Sequence, residues 1–466
     1  MSVEAVWWAE RAWLPSAHGE GWADAVLLRV GADGYWAEIT PGVAAPAHAV
    51  TLTGPVLPGL VDAHSHAFQR AFAGLAERRE SPDDDFWSWR ERMYRVALRI
   101  TPDELRDIAA WLDVELLKGG YTQVCEFHYL HHELNGAAYD DPLTMAWMLA
   151  DAASDAGIAL TVLPVLYERA GFAQASLQAD QRRFGTDPAW VDEACRRINE
   201  ARRHLVDAGV AVHSLRAASA ESIAALLRRD DGGDRPIHIH VAEQQREVDE
   251  CLAGTGMRPI EWLCANFALD ARWQLVHATH SVASEIDAVA RAGAGIVLTP
   301  GTEANLGDGL PNLDGWLGAG VPIGIGSDSQ VTRAWPEELR WLEYGQRLAG
   351  RRRNVAADPE RGQAATAARL WTQVLRGGAA AAGHAWWGLQ VGARADAIVL
   401  DADDPALLGV PASHTLDALV FSTPTNAIRD VCVGGRWVIR DRRHADEARL
   451  ASRFEAAMHA LWVTND

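Results

Sequence analysis

Residues 56–66 read VLPGLVDAHSH, an apolar segment that ends in two histidines separated by one residue. Residues i and i+2 of a β-strand point to the same side, so His64 and His66 can face one metal ion. An H-x-H pair alone is weak evidence, because two such histidines can equally be ordinary core or surface residues. The segments that follow along the chain distinguish these two interpretations.

Seven further segments repeat this pattern of an apolar run followed by polar residues. The eight are VLPGLVDAHSH (56–66), TQVCEFHY (122–129), ALTVLPVLY (159–167), VAVHSLRA (210–217), PIHIHVAEQ (236–244), WQLVHATH (273–280), GIVLTPGTE (295–303) and PIGIGSDS (322–329). Segments with helical apolar spacing lie between them, such as PDELRDIAAWLDVELLKGG, RPIEWLCANFA and VASEIDAVARAG. Strands that alternate with helices predict a parallel sheet. Eight such units predict an α/β fold, a TIM-like (β/α)8 barrel with its active site at the carboxyl ends of the strands.

The two ends of the chain have a different pattern. Short extended pieces such as AVWWAERAWL and AHAVTLTG fill residues 1–55, and ADAIVLDAD, DALVFST and DVCVGGRWVIRD follow residue 385. Such short strands separated by Gly and Pro are typical of small β-domains. We predict that residues 1–55 and 385–445 form one small β-sandwich domain, that residues 56–384 form the barrel, and that residues 446–466 form a C-terminal helix.

Composition excludes several classes of protein. The 466 residues are 48% hydrophobic and 23% charged, which is enough apolar material for a large core. With 43 basic and 63 acidic residues the net charge is -20, so we expect no nucleic-acid partner. Five scattered cysteines without a C-x-x-C pair favour neither a disulfide framework nor a thiolate zinc site. The sequence has no secretory signal and no long apolar span, so we expect a cytoplasmic protein with no membrane partner.

Three other predicted strands also end in groups that can bind metal. Strand five ends in HIHVAE, strand six in VHATH and strand eight in GIGSDS. Imidazoles and a carboxylate that meet at one barrel mouth suit a catalytic Zn²⁺, which takes N and O ligands and keeps one position open. The same ligands accept Fe²⁺ or another divalent metal. We predict one metal ion per chain, with the ligands His64, His66, His240 and Asp328.

Chemistry suggests roles for the remaining polar residues. Zinc lowers the pKa of bound water to about 7, and Glu243, three residues after His240, can then shuttle protons to the substrate nitrogen. The alternative for Glu243 is a surface carboxylate in the first turn of a helix, where Glu is common. We expect His277 to orient the attacking hydroxide or to polarise the electrophile. Asp328 is expected to act in catalysis as well as in metal binding.

Lysine content indicates how many metal ions the site holds. Many two-metal barrels bridge their ions with a carboxylated lysine near the end of strand four, but the only lysine in this chain is Lys118, before strand two. The site is therefore predicted to be mononuclear. Cys125 or Glu126 on strand two remains an alternative bridging residue.

The motifs resemble those of a known superfamily. PGLVDAHSH, HIHVAE, VHATH and GIGSDS are similar to the amidohydrolase superfamily, and specifically to its single-zinc deaminase branch. HSHAFQRAFAGLAERR, WSWRERMYR, CEFHYLHH and LTPGTEANLGDGLPNL resemble the deiminases of N-formimino-L-glutamate, over nearly the whole chain. The resemblance implies hydrolysis of the formimino C–N bond to give N-formyl-L-glutamate and ammonia, a step of histidine degradation. It also implies a homodimer.

The resemblance further implies a set of substrate contacts. Gln69 would bind the formimino group, and the glutamyl carboxylates would be held by Arg90, Tyr129, His213 and Arg216. A small substrate with two carboxylates needs guanidinium groups, which bind carboxylate in a bidentate fashion. Arg216 lies at the end of strand four and is therefore well placed. Arg90, taken alone, is equally consistent with a solvated surface residue.

Two alternative functions follow from the same residues. One is an aminohydrolase of a purine, pyrimidine or triazine ring that uses the same mononuclear site. A base-binding pocket needs aromatic stacking, whereas Arg90 and Arg216 favour carboxylates. The other is a barrel without activity that serves as a binding protein, since a fold alone does not imply catalysis. The complete set of ligands together with Glu243 and His277 argues against it.

Overall fold

The two sheets of the protein are formed by different parts of the chain. A computed structural model describes residues 3–16, 19–79, 84–229, 233–423 and 426–462. The extreme ends of the predicted terminal segments, residues 1–2 and 463–466, lie outside the described residues. One sheet is a parallel barrel, and the other is a mostly antiparallel sheet made from both chain ends. In the described ranges no helix is long and apolar enough to cross a bilayer.

The barrel contains all eight predicted strands. Its strands are β6 (Leu60–Ser65), β7 (Tyr121–His128), β8 (Ala159–Leu166), β10 (Val210–Ser214), β11 (Ile237–Val241), β12 (Trp273–His277), β13 (Gly295–Leu298) and β14 (Ile323–Ile325), and the short β9 (Val206–Ala208) pairs beside β8. Each strand pairs in parallel with the next. The predicted TIM-like barrel is therefore confirmed.

The barrel closes where its first and last strands meet. Ser65 and Asp328 form a parallel bridge, the Asp328 N–H donates to the His64 carbonyl at 2.9 Å, and the His66 N–H donates to the Asp328 carbonyl at 3.3 Å. This close approach requires Gly326, because a Cβ there would lie 2.6 Å from the His64 carbonyl oxygen. Closure of the barrel therefore places two predicted metal ligands from its first strand beside a third from its last.

Helices connect the strands and cover the barrel. They are α1 (Phe86–Ala97), α2 (Pro102–Lys118), α3 (Thr144–Ala156), α4 (Pro188–Glu200), α5 (Ala220–Arg229), α6 (Gln245–Thr255), α7 (Pro259–Asn266), α8 (Ala283–Ala292), α9 (Pro300–Leu306), α10 (Leu313–Ala319), α11 (Trp335–Gly350), α12 (Thr366–Ala381), α13 (Thr415–Phe421) and α14 (Glu447–Trp462). The three helices that were predicted between strands are α2, α7 and α8. The predicted C-terminal helix is α14.

The prediction of a strand at DALVFST was wrong, because this segment belongs to helix α13. The buried residues Leu416, Leu419 and Val420 have the spacing of one helical face. Arg340 of α11 donates a hydrogen bond to the Thr423 carbonyl at 2.9 Å and another to the carbonyl of Val420, at the end of α13. Packing against α11 and α12 therefore outweighs the β propensity of Val and Phe.

The second sheet combines the two chain ends, as predicted. Its strands are β1 (Val3–Ser16), β2 (Gly19–Gly31), β3 (Trp36–Thr40), β4 (Val50–Leu52), β5 (Val56–Pro58), β15 (Ala397–Leu400), β16 (Ile428–Val433), β17 (Arg436–Arg440) and β18 (Arg443–His444). Trp7 of β1 and Trp437 of β17 are four strands apart in this sheet, yet their ring centroids are only 4.8 Å apart. Because neighbouring strands lie about 4.8 Å apart, the sheet must fold over on itself, as in a sandwich. Residues 56–58 pair in this sheet and not in the barrel.

Helix α12 packs so closely on the barrel that one substitution is expected to destabilise the fold. A Cβ on Gly377 would lie 2.1 Å from the backbone carbonyl of Ile323 in β14. We expect Gly377→Ala to lower the free energy of unfolding by about 3 kcal/mol, because helix and strand must move apart. Thermal denaturation measures the effect. The control is Gly318→Ala in α10, where a Cβ meets no atom within 4 Å and where alanine is expected to be neutral or stabilising. Equal melting temperatures for the two variants would contradict the prediction.

Candidate active site

A cavity opens at the carboxyl ends of the barrel strands. All of the predicted site residues line it except His64, which is fully buried beneath its floor. The chain therefore brings together side chains from six different strand ends and from helix α1. The predicted residues that line the cavity are His66, Gln69, Arg90, Tyr129, His213, Arg216, His240, Glu243, His277 and Asp328.

The four predicted metal ligands are in mutual reach. The Nε2 atom of His64 lies 3.0 Å from Nε2 of His240 and 3.6 Å from Oδ1 of Asp328. Nε2 of His66 lies 3.4 Å from the same Asp328 oxygen. Ligand atoms of His64, His66 and His240 all lie within 4.8 Å of one another, as do those of His64, His277 and Asp328. This arrangement can hold a metal ion, and it also brings His277 close to the cluster.

The protonation states of the cluster fit a divalent cation. Burial lowers the pKa of His64 to about 4 and that of His66 to about 3, so both imidazoles are neutral near pH 7. Burial also lowers the pKa of His240. Around Asp328 burial is outweighed by the neighbouring imidazoles, above all His64, which hold the pKa of that carboxyl below its usual range. Neutral imidazoles and an ionised carboxylate are the forms that bind a metal.

One ligand is also held in the correct tautomer. Nδ1 of His66 lies 3.0 Å from the Phe127 carbonyl oxygen. A carbonyl can only accept, so Nδ1 carries the proton and Nε2 presents its lone pair to the cluster. Second contacts of this kind are typical of metal-binding histidines.

The backbone is strained where the strands end at the site. Ala242, His277 and Asp328 have φ values of 53°, 69° and 47°. This left-handed region is uncommon for residues other than glycine and costs on the order of 1–3 kcal/mol per residue. Strain of this kind often occurs at functional sites, and here it lies at the ends of β11 and β12 and just after β14.

Glu243 lies next to the cluster, between two cationic side chains. Its Oε1 is 3.9 Å from Nε2 of His277, and its Oε2 is 3.7 Å from a guanidinium nitrogen of Arg216. Burial raises the pKa of Glu243, although His277 and Arg216 oppose the rise. A buried carboxyl with a raised pKa can both accept and return a proton near neutral pH, as general acid–base catalysis requires.

A buried pair of residues supports His277 from behind. Its Nδ1 lies 3.1 Å from the Thr299 hydroxyl and 3.6 Å from Oε1 of Glu303. Burial would lower the pKa of His277, but the carboxylates of Glu243, Asp328 and Glu303 outweigh it and raise this pKa to about 10. The imidazole therefore presents an N–H toward Glu243 and the cavity. Glu303 was not predicted as a site residue, although it lies in the segment LTPGTEANLGDGLPNL.

Gln69 and Tyr129 form a hydrogen-bonded pair that also lines the cavity. Nε2 of Gln69 donates to the Tyr129 hydroxyl at 3.1 Å. The amide oxygen of Gln69 is buried and has no hydrogen-bond partner among the described residues. An unpaired buried acceptor is costly, so a ligand with an N–H group would stabilise this position.

The two predicted arginines have different environments. Arg216 is 7% exposed and lies 3.7 Å from both Glu243 and the fully buried Glu247. The Arg90 guanidinium stacks over Trp87, 4.4 Å from the ring centroid. Within the described part of the chain Arg90 has no carboxylate partner, and its Nε is buried without a hydrogen bond. The positive charge of Arg90 is therefore available to pair with an anionic ligand.

His213 also faces the cavity, as a neutral group. Its Nδ1 lies 3.1 Å from the Ser214 hydroxyl, and its ring is 4.4 Å from that of Tyr167. Burial lowers its pKa well below the usual value, and the nearby Arg216 adds to this effect. A neutral imidazole can donate or accept one hydrogen bond to a ligand without adding charge.

The alternative bridging residues are engaged elsewhere. The carboxylate of Glu126 accepts hydrogen bonds from the Ser65 hydroxyl and the Ala67 N–H, both at 2.7 Å, and so positions the turn after β6. Burial raises the pKa of the Cys125 thiol, which disfavours the thiolate that metal binding needs. Lys118 pairs with Glu447 of α14 at 2.6 Å. These contacts favour one metal ion over two.

Several residues in or next to the cavity were not predicted from the sequence. Tyr94 and Tyr167 line its wall, and Trp87 lies beneath the Arg90 guanidinium. The segment WSWRERMYR contains a signal for two of them, since Trp87, Arg90 and Tyr94 are three and four residues apart and so share one face of α1. Tyr167 carries no such signal, because its role depends on contacts with distant segments.

Comparison with known proteins identifies the family. A sequence model of the amidohydrolase family matches residues 56–438. The chain belongs to the amidohydrolase family. This amidohydrolase is 48% identical to the formimidoylglutamate deiminase of Pseudomonas aeruginosa over 456 residues, which cover 97% of this chain and 98% of that protein.

Other relatives of this amidohydrolase differ in distance. A crystal structure of an amidohydrolase from Brucella melitensis superposes with a TM-score of 0.92 at 40% identity and covers 98% of this chain and 100% of that one. A 5-methylthioadenosine/S-adenosylhomocysteine deaminase from Natronomonas pharaonis is 27% identical over 408 residues, 87% of this chain and 86% of that protein. The Natronomonas deaminase is thus the most distant of these three relatives.

Proposed function

We propose that the protein hydrolyses N-formimino-L-glutamate to N-formyl-L-glutamate and ammonia, as a mononuclear zinc enzyme of histidine degradation. Water supplies the oxygen of the new formyl group, and the formimino nitrogen leaves as ammonia. The similarity to the Pseudomonas formimidoylglutamate deiminase supports this substrate. We further propose that the enzyme works in the cytoplasm as a homodimer.

The unpaired polar groups of the cavity carry this proposal. Gln69 offers a buried acceptor, and the Nε atoms of Arg90 and Arg216 are buried donors without hydrogen-bond partners among the described residues. A ligand that has both a formimino N–H and carboxylates supplies the missing partners for all three. A neutral purine or pyrimidine leaves the Arg90 guanidinium without an anion, which is unfavourable in a buried site.

The cluster of His64, His66, His240 and Asp328 would hold the metal. A divalent ion there would supply Lewis acidity, which polarises the substrate and makes hydroxide available near neutral pH. The side chains of the cavity must bind the two carboxylates, orient the formimino carbon and move protons between water and nitrogen.

Glu243 is the group we assign to proton transfer. Its carboxylate takes a proton from the attacking water and passes it to the formimino nitrogen, which becomes an NH₂ group. It then carries the second proton, from the new hydroxyl group, to the same nitrogen, so that the C–N bond breaks, the formyl carbonyl forms and ammonia leaves. The N–H of His277 can donate to the developing oxyanion, and Thr299 and Glu303 hold that imidazole in place. Arg90, Arg216, Tyr129 and His213 would bind the carboxylates.

Metal removal tests the assignment of the cluster. We expect dialysis against a chelator to lower ammonia release from N-formimino-L-glutamate by at least about 100-fold, and one equivalent of Zn²⁺ per chain to restore it. Metal content measured by mass spectrometry gives the stoichiometry. Full activity without metal, or restoration only at two equivalents, would refute the mononuclear site. His131→Ala serves as a control, because this buried histidine lies outside the cluster and its loss should leave metal content unchanged.

A further inference from the structure

Two tyrosines on the cavity wall have no role in the function proposed so far. Tyr94 lies on α1 and Tyr167 directly follows β8, and both line the cavity while only 5% and 3% exposed. Their hydroxyl oxygens are 3.5 Å apart. Nε2 of Gln181 lies 2.9 Å from the Tyr167 hydroxyl and 3.4 Å from that of Tyr94. The three side chains form one hydrogen-bonded polar group at the cavity wall.

The orientation of the Gln181 amide is fixed by the backbone. Its Oε1 accepts a hydrogen bond from the N–H of Gln178 at 3.0 Å. The NH₂ group therefore faces the tyrosines and has two hydrogens to donate, one to each phenol oxygen. Both tyrosine oxygens thus act as acceptors toward Gln181, and both keep their own hydroxyl hydrogen for another partner.

The two tyrosine hydroxyls have more hydrogens to donate than Tyr94, Tyr167 and Gln181 can accept among themselves. A hydrogen bond between the two hydroxyls uses at most one of their two hydrogens. At least one O–H of Tyr94 or Tyr167 must therefore point to a group outside this trio. The Arg90 guanidinium carbon lies 5.5 Å from the Tyr94 ring centroid, and Arg216 lines the same cavity. A cavity that contains both a spare O–H donor and two guanidinium groups is an environment that a carboxylate prefers.

We propose that Tyr94 and Tyr167, positioned by Gln181, complete the subsite for one substrate carboxylate and so select a dianionic over a monoanionic formimino compound. This inference rests on the proposed function, since it concerns how the same site recognises its substrate. The hydroxyls bind the carboxylate beside Arg90 and Arg216. They take no part in breaking the C–N bond.

Phenylalanine substitutions test the subsite. In Tyr94→Phe or Tyr167→Phe the remaining hydroxyl still has its hydrogen to donate, so we expect KM for N-formimino-L-glutamate to rise by no more than about fivefold. In the double variant both donors are lost, and KM is expected to rise on the order of 50-fold, with kcat changed less than about fivefold. This more than additive loss distinguishes a shared donor from two independent packing contacts.

Inhibition by three product-like probes gives a readout that simple loosening of the fold would not produce. N-formyl-L-glutamate has both carboxylates, N-formyl-L-glutamine lacks the side-chain carboxylate, and 4-formamidobutyrate lacks the α-carboxylate. We expect the wild type to bind the first probe more tightly than either analogue. The double variant should lose this preference over one analogue and keep it over the other, which identifies the carboxylate in the subsite. Preferences within twofold of the wild type for both analogues would overturn the proposal.

Tyr121→Phe is the matched control. Tyr121 is fully buried at the start of β7, and its hydroxyl has no hydrogen-bond partner among the described residues and lies outside the cavity. Its loss should leave the inhibition constants unchanged. If the wild type neither releases ammonia from N-formimino-L-glutamate nor binds N-formyl-L-glutamate, the proposed function fails and the subsite fails with it. If the wild type does both, but the double variant keeps the wild-type preferences over both analogues, the subsite alone is wrong.

Discussion

Replacement of Glu243 by glutamine is expected to lower kcat by about 10³-fold while one metal ion per chain is still bound. Glutamine has the same size and can keep the position of Glu243 between Arg216 and His277, but it cannot take up a proton. Because Glu243 lies beside the metal cluster and is not one of the four predicted ligands, metal content should be unchanged. The measurement is steady-state ammonia release together with metal analysis of the same sample.

Glu250→Gln is the matched control for this variant. Glu250 lies on α6, the helix that begins two residues after Glu243, and pairs with Arg246 at 2.7 Å on the protein surface. The Glu250→Gln variant loses one carboxylate of the same kind, but the change does not affect the metal cluster. Its kcat should therefore equal that of the wild type. A Glu243→Gln enzyme with kcat within tenfold of the wild type would rule out the role of Glu243 in proton transfer.

Replacement of Arg216 by methionine is expected to lower kcat/KM by about 10²–10³-fold, mainly through KM. The guanidinium is predicted to bind a substrate carboxylate, and methionine keeps much of its length but no charge. The same change should lower the free energy of unfolding by about 3–5 kcal/mol, because Glu247 is fully buried and would lose its countercharge. The stability loss must therefore be separated from the binding loss.

The double variant Arg216→Met with Glu247→Gln makes this separation. Removing both charges of the Arg216–Glu247 pair should restore most of the melting temperature, since position 247 no longer carries a charge and Glu243 still faces His277. Substrate binding should remain as weak as in the single variant, because the guanidinium is still absent. Recovery of KM along with the melting temperature would assign Arg216 to stability alone and would contradict its contact with the substrate.

The barrel and its metal cluster could be predicted because both depend on local patterns. An apolar run of strand length that ends in His or Asp places that side chain at the mouth, whichever strands become neighbours. His64, His66, His240 and Asp328 therefore meet through the symmetry of the barrel. His238, two residues before His240 in the same strand, lies one layer deeper and contacts the Ala381 carbonyl at 2.8 Å.

The remaining features depend on contacts between distant parts of the chain. The DALVFST segment has strand-forming residues, and only its packing on α11 and α12 makes it helical. Residues 56–58 continue directly into the first barrel strand, yet they pair with β15 from the other end of the chain. Glu247 and Tyr167 contact Arg216 and Gln181, respectively, without any fixed sequence spacing. No periodicity marks such pairs.

The most direct test of the account is ammonia release by zinc-loaded protein from N-formimino-L-glutamate, measured beside adenosine, guanine and cytosine under identical conditions. We predict rapid release from N-formimino-L-glutamate, with N-formyl-L-glutamate as the other product, and no release from the three ring compounds. Release from a ring compound alone would leave the metal site intact and would contradict the substrate pocket described above.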